Sequence, residues 1–184
     1  MKRASLLLAF TAMLLTLVAS ASAQETKLAQ AASSTTESLS TVLKKYMPKD
    51  LPMLDDLVVI KPSLEVPPQL AELSGAWVGE WRGDKTSVYM GDQVYVFEEV
   101  SATSLTLVTA GIGRYQAPRG QRGSNAGRTW SDRFKGVQPE GTSPFTVTLP
   151  NGNKNTYQVR DGQLNVQLIT PGGIVWNGTF KKIQ

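Results

Sequence analysis

"LSGAWVGEW", residues 73–81, sets Trp77 and Trp81 four positions apart with Gly79 midway between them. That spacing suits one face of a helix or every second residue of a strand. Gly75 and Gly79 weigh against the helix, because a glycine in a helix interior costs about 1 kcal/mol relative to alanine. The decision comes from the sequence downstream. In "TVTLPNGNKNTYQVRDGQLNVQLITPGGIVWNGTF", residues 146–180, Asn151-Gly152, Asp161-Gly162 and Pro171-Gly172-Gly173 are turn signals between strand-like runs. Phe145, Val147 and Leu149 share one face, as do Tyr157 and Val159, then Leu164, Val166 and Leu168. The last run sets Ile174, Trp176, Gly178 and Phe180 against Val175, Asn177 and Thr179. The period is two, and four hairpin-linked strands follow one another.

Upstream, the same reading predicts strands over about 75–82, 86–99, 103–110 and 129–137. Roughly eight short antiparallel strands in simple up-and-down order favour a closed β-barrel, which removes sheet edges. Such a barrel is just wide enough to hold its own side chains or one small ligand. The "LSGAWVGEW" stretch is then a first strand, with Gly75, Trp77, Gly79 and Trp81 on one face and Val78 and Glu80 on the other. Trp77 is expected to plug one end of the barrel, and Gly79 to permit strong curvature or a close backbone approach.

The segments before the barrel have a different character. Lys2 and Arg3, the apolar run Leu6 to Val18 and the small residues Ala21-Ser22-Ala23 read as a signal peptide, 1–23, with cleavage after Ala23. The apolar run is short for a span of about 20 residues, and no later run is long enough to serve as one. Residues 24–72 read as a disordered and helical N-terminal segment with a Pro-rich linker. Within it, Ser34-Thr35-Thr36-Glu37 has the form of a capping box. Leu39, Val42, Leu43 and Tyr46 follow at helical spacing, which predicts a helix over 35–46 ended by Pro48. Its stripe either docks on the main domain or meets a membrane surface or partner. "DDLVVI", residues 55–60, has the composition of a short strand. The barrel domain is expected to occupy 73–184.

Composition removes several chemistries. The chain has no cysteine and no histidine. A disulfide framework, a Ser-His-Asp triad, a cysteine nucleophile and an ordinary zinc site are therefore excluded, and no cofactor is implied. A disulfide-free exported domain suits the periplasm, with full secretion as the alternative. Net charge is +4, and losing Lys2 and Arg3 leaves +4 − 2 = +2. That weak balance does not argue for nucleic acid as a partner.

Gly75, Ala76 and Trp77, a glycine two before a tryptophan on the first strand of an eight-strand meander, resemble the lipocalin and wider calycin families. "LSGAWVGEW", "FTVTLPNG" and "WNGTFKKI" together look like the lipocalin-like β-barrel domains of bacterial exported proteins. The resemblance covers roughly 73–184 and implies binding of a small apolar or amphipathic ligand without catalysis. A lipocalin also carries a cationic residue late in the barrel, packed over the first-strand tryptophan. Here Lys181 or Lys182 stands where an arginine is usual, and disulfides are absent. On this reading Gly75 and Trp77 are structural, and Trp81, Tyr95, Phe97, Tyr157 and Trp176 are candidate lining residues.

Two further stretches offer alternatives. "GIGRYQAPRGQRGSNAGRTWSDR", residues 111–133, contains Arg114, Arg119, Arg122, Arg128 and Arg133, with no acid between Glu99 and Asp132. Arginine forks suit phosphate, sulfate or carboxylate groups. Arg114, Arg119 and Arg122 would then guard the entrance against, or toward, an anionic ligand. Alternatively, the barrel is solid and the loop binds an anionic envelope component or a protein. The other stretch holds Glu98 and Glu99, which as strand neighbours point to opposite faces. One of them could meet Glu80 inside the barrel as a hydrolase pair about 5–9 Å apart. The bland alternative is an outward carboxylate paired with an arginine.

Overall fold

The computed structural model describes residues 38–83, 88–116 and 125–183. The expected signal segment, Ser34 and Glu37 of the capping box, Arg119 and Arg122 lie outside these residues. Eight strands follow one another: β1 (Gly75–Gly83), β2 (Tyr89–Val100), β3 (Leu105–Gly113), β4 (Thr129–Val137), β5 (Phe145–Thr148), β6 (Lys154–Arg160), β7 (Gln163–Ile169) and β8 (Val175–Lys182). They form one sheet in the order β4-β3-β2-β1-β8-β7-β6-β5. Every pairing is antiparallel. The protein is mainly β, an eight-strand up-and-down barrel that is nearly closed. Among the described residues no ladder joins β4 to β5.

The strands form where period-two patterning meets suitable turns. At Asp161-Gly162 both residues have positive φ, 52° and 72°, and Arg160 pairs with Gln163 across them. That is the two-residue hairpin a right-twisted ribbon favours. Trp77 and Trp81 both face inward and are each 1 % exposed. Between them, a Cβ on Gly79 would collide with the Thr179 carbonyl and stand 2.7 Å from the Phe180 ring. Gly79 is therefore the gap into which Phe180 packs, with its ring 5.5 Å from that of Trp81.

One end of the barrel is sealed. A one-turn helix, α2 (Pro68–Ala71), brings Leu70 and Leu73 beneath Trp77, with Val66 beside them. Trp77 Nε1 donates 2.7 Å to the Leu73 carbonyl, which satisfies the buried indole. Gly75 has φ 118°, a conformation only glycine adopts freely, and this turns the chain into β1. Of the two lysines expected over Trp77, it is Lys182 that lies there, its Nζ 5.0 Å from the ring centre. Above this plug an aromatic cluster fills the barrel. Tyr95 lies 5.0 Å from Phe180 and 5.6 Å from Tyr157, and Phe97 lies 5.3 Å from Tyr157, all edge-on.

A second core lies outside the barrel. β2 and β3 are apolar on both faces: Val94, Val96, Val108, Ala110 and Ile112 point outward, yet are buried. They are covered by the segment that precedes the barrel. The helix α1 (Leu39–Lys44) contributes Leu43, fully buried, and the chain after it contributes Leu51 and Leu57. Each such side chain stabilises the fold by about 1.5–3 kcal/mol. Ser38–Gln184 accordingly gather into one compact unit, and the stretch read as a linker is built into it as a strap.

Three local expectations change. Among the described residues the helix covers 39–44 and stops short of 46, with Ser38 as N-cap accepting 3.3 Å from the Thr41 amide; residues 35–37 of the expected helix lie outside the described residues. Its apolar stripe is narrower than the spacing implied, because Tyr46 is exposed. Residues 55–60 form no strand. Ile60 donates its amide to the Glu98 carbonyl at 2.7 Å and Val58 to Glu98 Oε1 at 3.1 Å, so one side chain interrupts what would have been a ladder.

Candidate functional site

The end of the barrel opposite Trp77 holds a cavity of about 270 Å³. Strand parity delivers its walls. β2 supplies Gln93 and Tyr95, β3 supplies Thr109, and β4 supplies Trp130 and Asp132. β6 supplies Asn155, and β7 and β8 supply Leu168 and Trp176. The connecting loops add Asn125, Arg128, Leu149, Asn151, Asn153 and Thr170. The cavity therefore spans the interval between β4 and β5, where no ladder closes the sheet.

Several wall positions are held by specific contacts. Trp130 lies over Gly111, where a Cβ would fall on the indole. Asn125 donates 3.0 Å to the Met90 carbonyl and accepts 2.8 Å from the Tyr115 amide, which pins the base of the β3–β4 loop. Trp81 Nε1 donates to Gln93 Oε1, which fixes the orientation of that amide. Asn151 accepts 3.0 Å from the Asn153 amide and shapes the β5–β6 turn.

One buried polar atom in this wall is unsatisfied among the described residues. Asn155, 1 % exposed, donates 2.8 Å from Nδ2 to the Tyr157 hydroxyl, while its Oδ1 meets no partner among the described residues. Turning the amide over would leave Nδ2 unpaired instead, so one polar atom is left over in either orientation. Beside it, the Tyr95 hydroxyl lies against Gln93 and Tyr157, and burial pushes the pKa of both tyrosines well up, so both are neutral hydroxyls. Leaving the Asn155 atom unpaired costs about 1–3 kcal/mol. The only charges among the described lining residues are Arg128 and Asp132, one of each sign, both at the exposed rim.

The sequence-derived candidates divide. Tyr95 and Trp176 line the cavity. Trp81, Phe97 and Tyr157 lie below it in the aromatic cluster, each fully or almost fully buried. Trp77 and Gly75 sit at the sealed end. Arg114 is not among the described lining residues. It reaches the strap instead, with Nη2 3.2 Å from Asp50 Oδ1 and Nε 3.6 Å from Asp92 Oδ2. Asp50 holds the Arg114 pKa above its ordinary value.

The proposed hydrolase carboxylates do not converge inside the barrel. Glu80 shares the outer face of β1 with Val78 and pairs with Arg82. Glu98 is on the outer face of β2, 2.8 Å from Arg133 Nε, and Glu99 is exposed beside it. Among the described residues no three acidic side chains gather as a metal site requires.

Sequence reasoning missed the asparagines. "NGNKN" at 151–155 carries an amide at every second position, the signature of one strand face. Its Asn151-Gly152 pair signals a turn, which masks the amide face that follows.

No protein-family model matches the chain, and no curated protein matches it either. Among solved structures, the chain is similar to a redesigned β-barrel at 18% identity, covering 63% of this chain and 96% of that one, with a TM-score of 0.43. It is also similar to a de novo designed fluorescence-activating β-barrel at 17% identity, covering 64% and 99%, with a TM-score of 0.42.

Proposed function

We propose that the protein is a non-catalytic binding protein of the exported compartment, the periplasm, that holds one small amphipathic ligand in the open end of its barrel. The observation that carries this reading is the 270 Å³ cavity with an unsatisfied buried amide atom in its wall. Ligand pockets usually run about 300–1,000 Å³ and combine apolar walls with a few placed polar groups. This cavity falls just below that range, which suits a small ligand. The ligand contacts proposed are Tyr95, Trp130, Trp176 and the amides of Asn153 and Asn155.

The sealed end supports the finer assignment to a lipocalin-like barrel. Gly75 turns the chain, Trp77 plugs the base, and Lys182 covers the ring. The outward, paired positions of Glu80 and Glu98 support a binding rather than a hydrolytic role. The pairing of Arg114 with Asp50 and Asp92 favours a cavity ligand over a polyanion bound along the loop.

Native mass spectrometry of the protein purified from its own cells tests the reading. A discrete added mass that leaves on denaturation is expected. A bare protein mass, together with no change in tryptophan fluorescence across a broad small-molecule library, would overturn it.

A further inference from the structure

The cavity wall is unlike that of a fatty-acid carrier, and its chemistry selects among small ligands. Resting on the cavity reading above, we infer that the ligand class is a neutral saccharide of one or two rings. Three features converge. First, the walls combine two indoles, Trp130 and Trp176, with a cluster of amides and hydroxyls: Asn151, Asn153, Asn155 and Thr170. A pyranose matches that mixture, because one face of the ring presents C–H groups to an aromatic plane while its hydroxyls project around the rim.

Second, an amide atom of Asn155 is buried without a partner among the described residues. A sugar hydroxyl donates and accepts at once, so it can serve that atom whichever way the Asn155 amide is turned. A lipid tail would leave it unpaired. Third, the described lining residues carry one charge of each sign, Arg128 and Asp132, both exposed at the rim. A site for a phosphorylated or carboxylated ligand would need a cationic excess. The volume of about 270 Å³ admits a small ring system and no long chain.

The test is titration of the 15N-labelled protein with maltose, with N,N′-diacetylchitobiose, with adenosine and with the dye ANS, following the indole N–H resonances. The chain has four tryptophans. Trp77, at the sealed end, is the internal control. Saturable shifts of Trp130 and Trp176, with Trp77 unmoved, on adding either sugar are the expected result. Asn153→Ala, on the turn and partly exposed, should weaken sugar binding by roughly tenfold, the scale of one hydrogen bond, without changing the melting temperature. Asn155→Ala should weaken it at least as far. If Asn155→Ala fails to fold, Asn153→Ala still decides. Shifts with adenosine or ANS but with neither sugar would overturn the saccharide inference and leave the cavity reading standing. No shift with any of the four probes would overturn both.

Discussion

The guanidinium of Arg133, on β4, grips the carboxylate of Asp56 at 2.7 and 2.9 Å across 77 residues of chain. It also lies against Glu98, with Nη2 donating 2.9 Å to Oε1. Glu98 in turn accepts the Val58 amide. A single arginine therefore ties the strap to the barrel through two acids on different segments. Arg114 repeats the device with Asp50 and Asp92. Two members of the arginine-rich stretch thus fasten the chain to itself.

Arg133→Ala should destabilise the protein by about 2–3 kcal/mol, because Glu98, only 7 % exposed, loses its charged hydrogen-bond partner. Arg133→Lys keeps the charge but loses the fork, and should fall between the two. Urea unfolding measures the cost. Limited proteolysis should show earlier cutting within residues 47–66 in the alanine variant. Unchanged stability would mean that the apolar contacts alone hold the strap.

The strap should respond to acid. Hydrogen bonding from Arg133 holds the Asp56 pKa below its ordinary 3.8. A carboxyl lowered on folding contributes stability that is fully present above the unfolded value and lost as pH falls through the folded one. Amide exchange of residues 56–60 should therefore be protected down to about pH 4 and rise below it. Asp56→Asn should remove that part of the acid response, while a response persisting in full would assign it to other carboxyls.

Leu43 is fully buried between α1 and the outer face of the sheet. Leu43→Ala should cost about 2–5 kcal/mol, the range for leucine deletions in a core. The loss should appear in thermal unfolding as one cooperative transition, because the strap and barrel share that core. A separate early transition would show that the strap melts by itself.

Gly111→Ala should displace the Trp130 indole, since the new methyl would occupy the space of the ring. The expected readings are a shift in tryptophan fluorescence and a loss of about 1–3 kcal/mol from overpacking. Ligand uptake should weaken as well, because one cavity wall moves. An unaltered emission spectrum would mean that Trp130 packs elsewhere.

The barrel was legible in the sequence because alternation is a local property. A strand with one apolar face writes that face at every second residue, and Asp161-Gly162 marks the hairpin between two of them. Trp77 and Trp81 could therefore be assigned to one inward face, whereas a lysine near the first followed only from the resemblance to lipocalins. The strap was legible only in its first element, the helix whose apolar stripe could dock on the main domain. Val94, Val96 and Val108 announce a sheet buried on both sides, but nothing local says that Leu43, Leu51 and Leu57 cover it. Those contacts join residues more than thirty positions apart, and proline-rich chain without periodicity carries no record of its partner.

The cavity divides along the same line. Parity placed Tyr95 and Trp176 on the inner face, but depth along the barrel separates them from Phe97 and Tyr157, and depth depends on strand register. The pairing of Trp77 with Tyr95 and of Gly79 with Gln93 sets which inward side chains form packed core and which reach the open end. The sequence by itself determined which residues point inward, because side-chain direction alternates with the backbone. Only the tertiary structure decided which of them face a cavity, and which outward charges are already spent on the strap, because both follow from how distant segments meet.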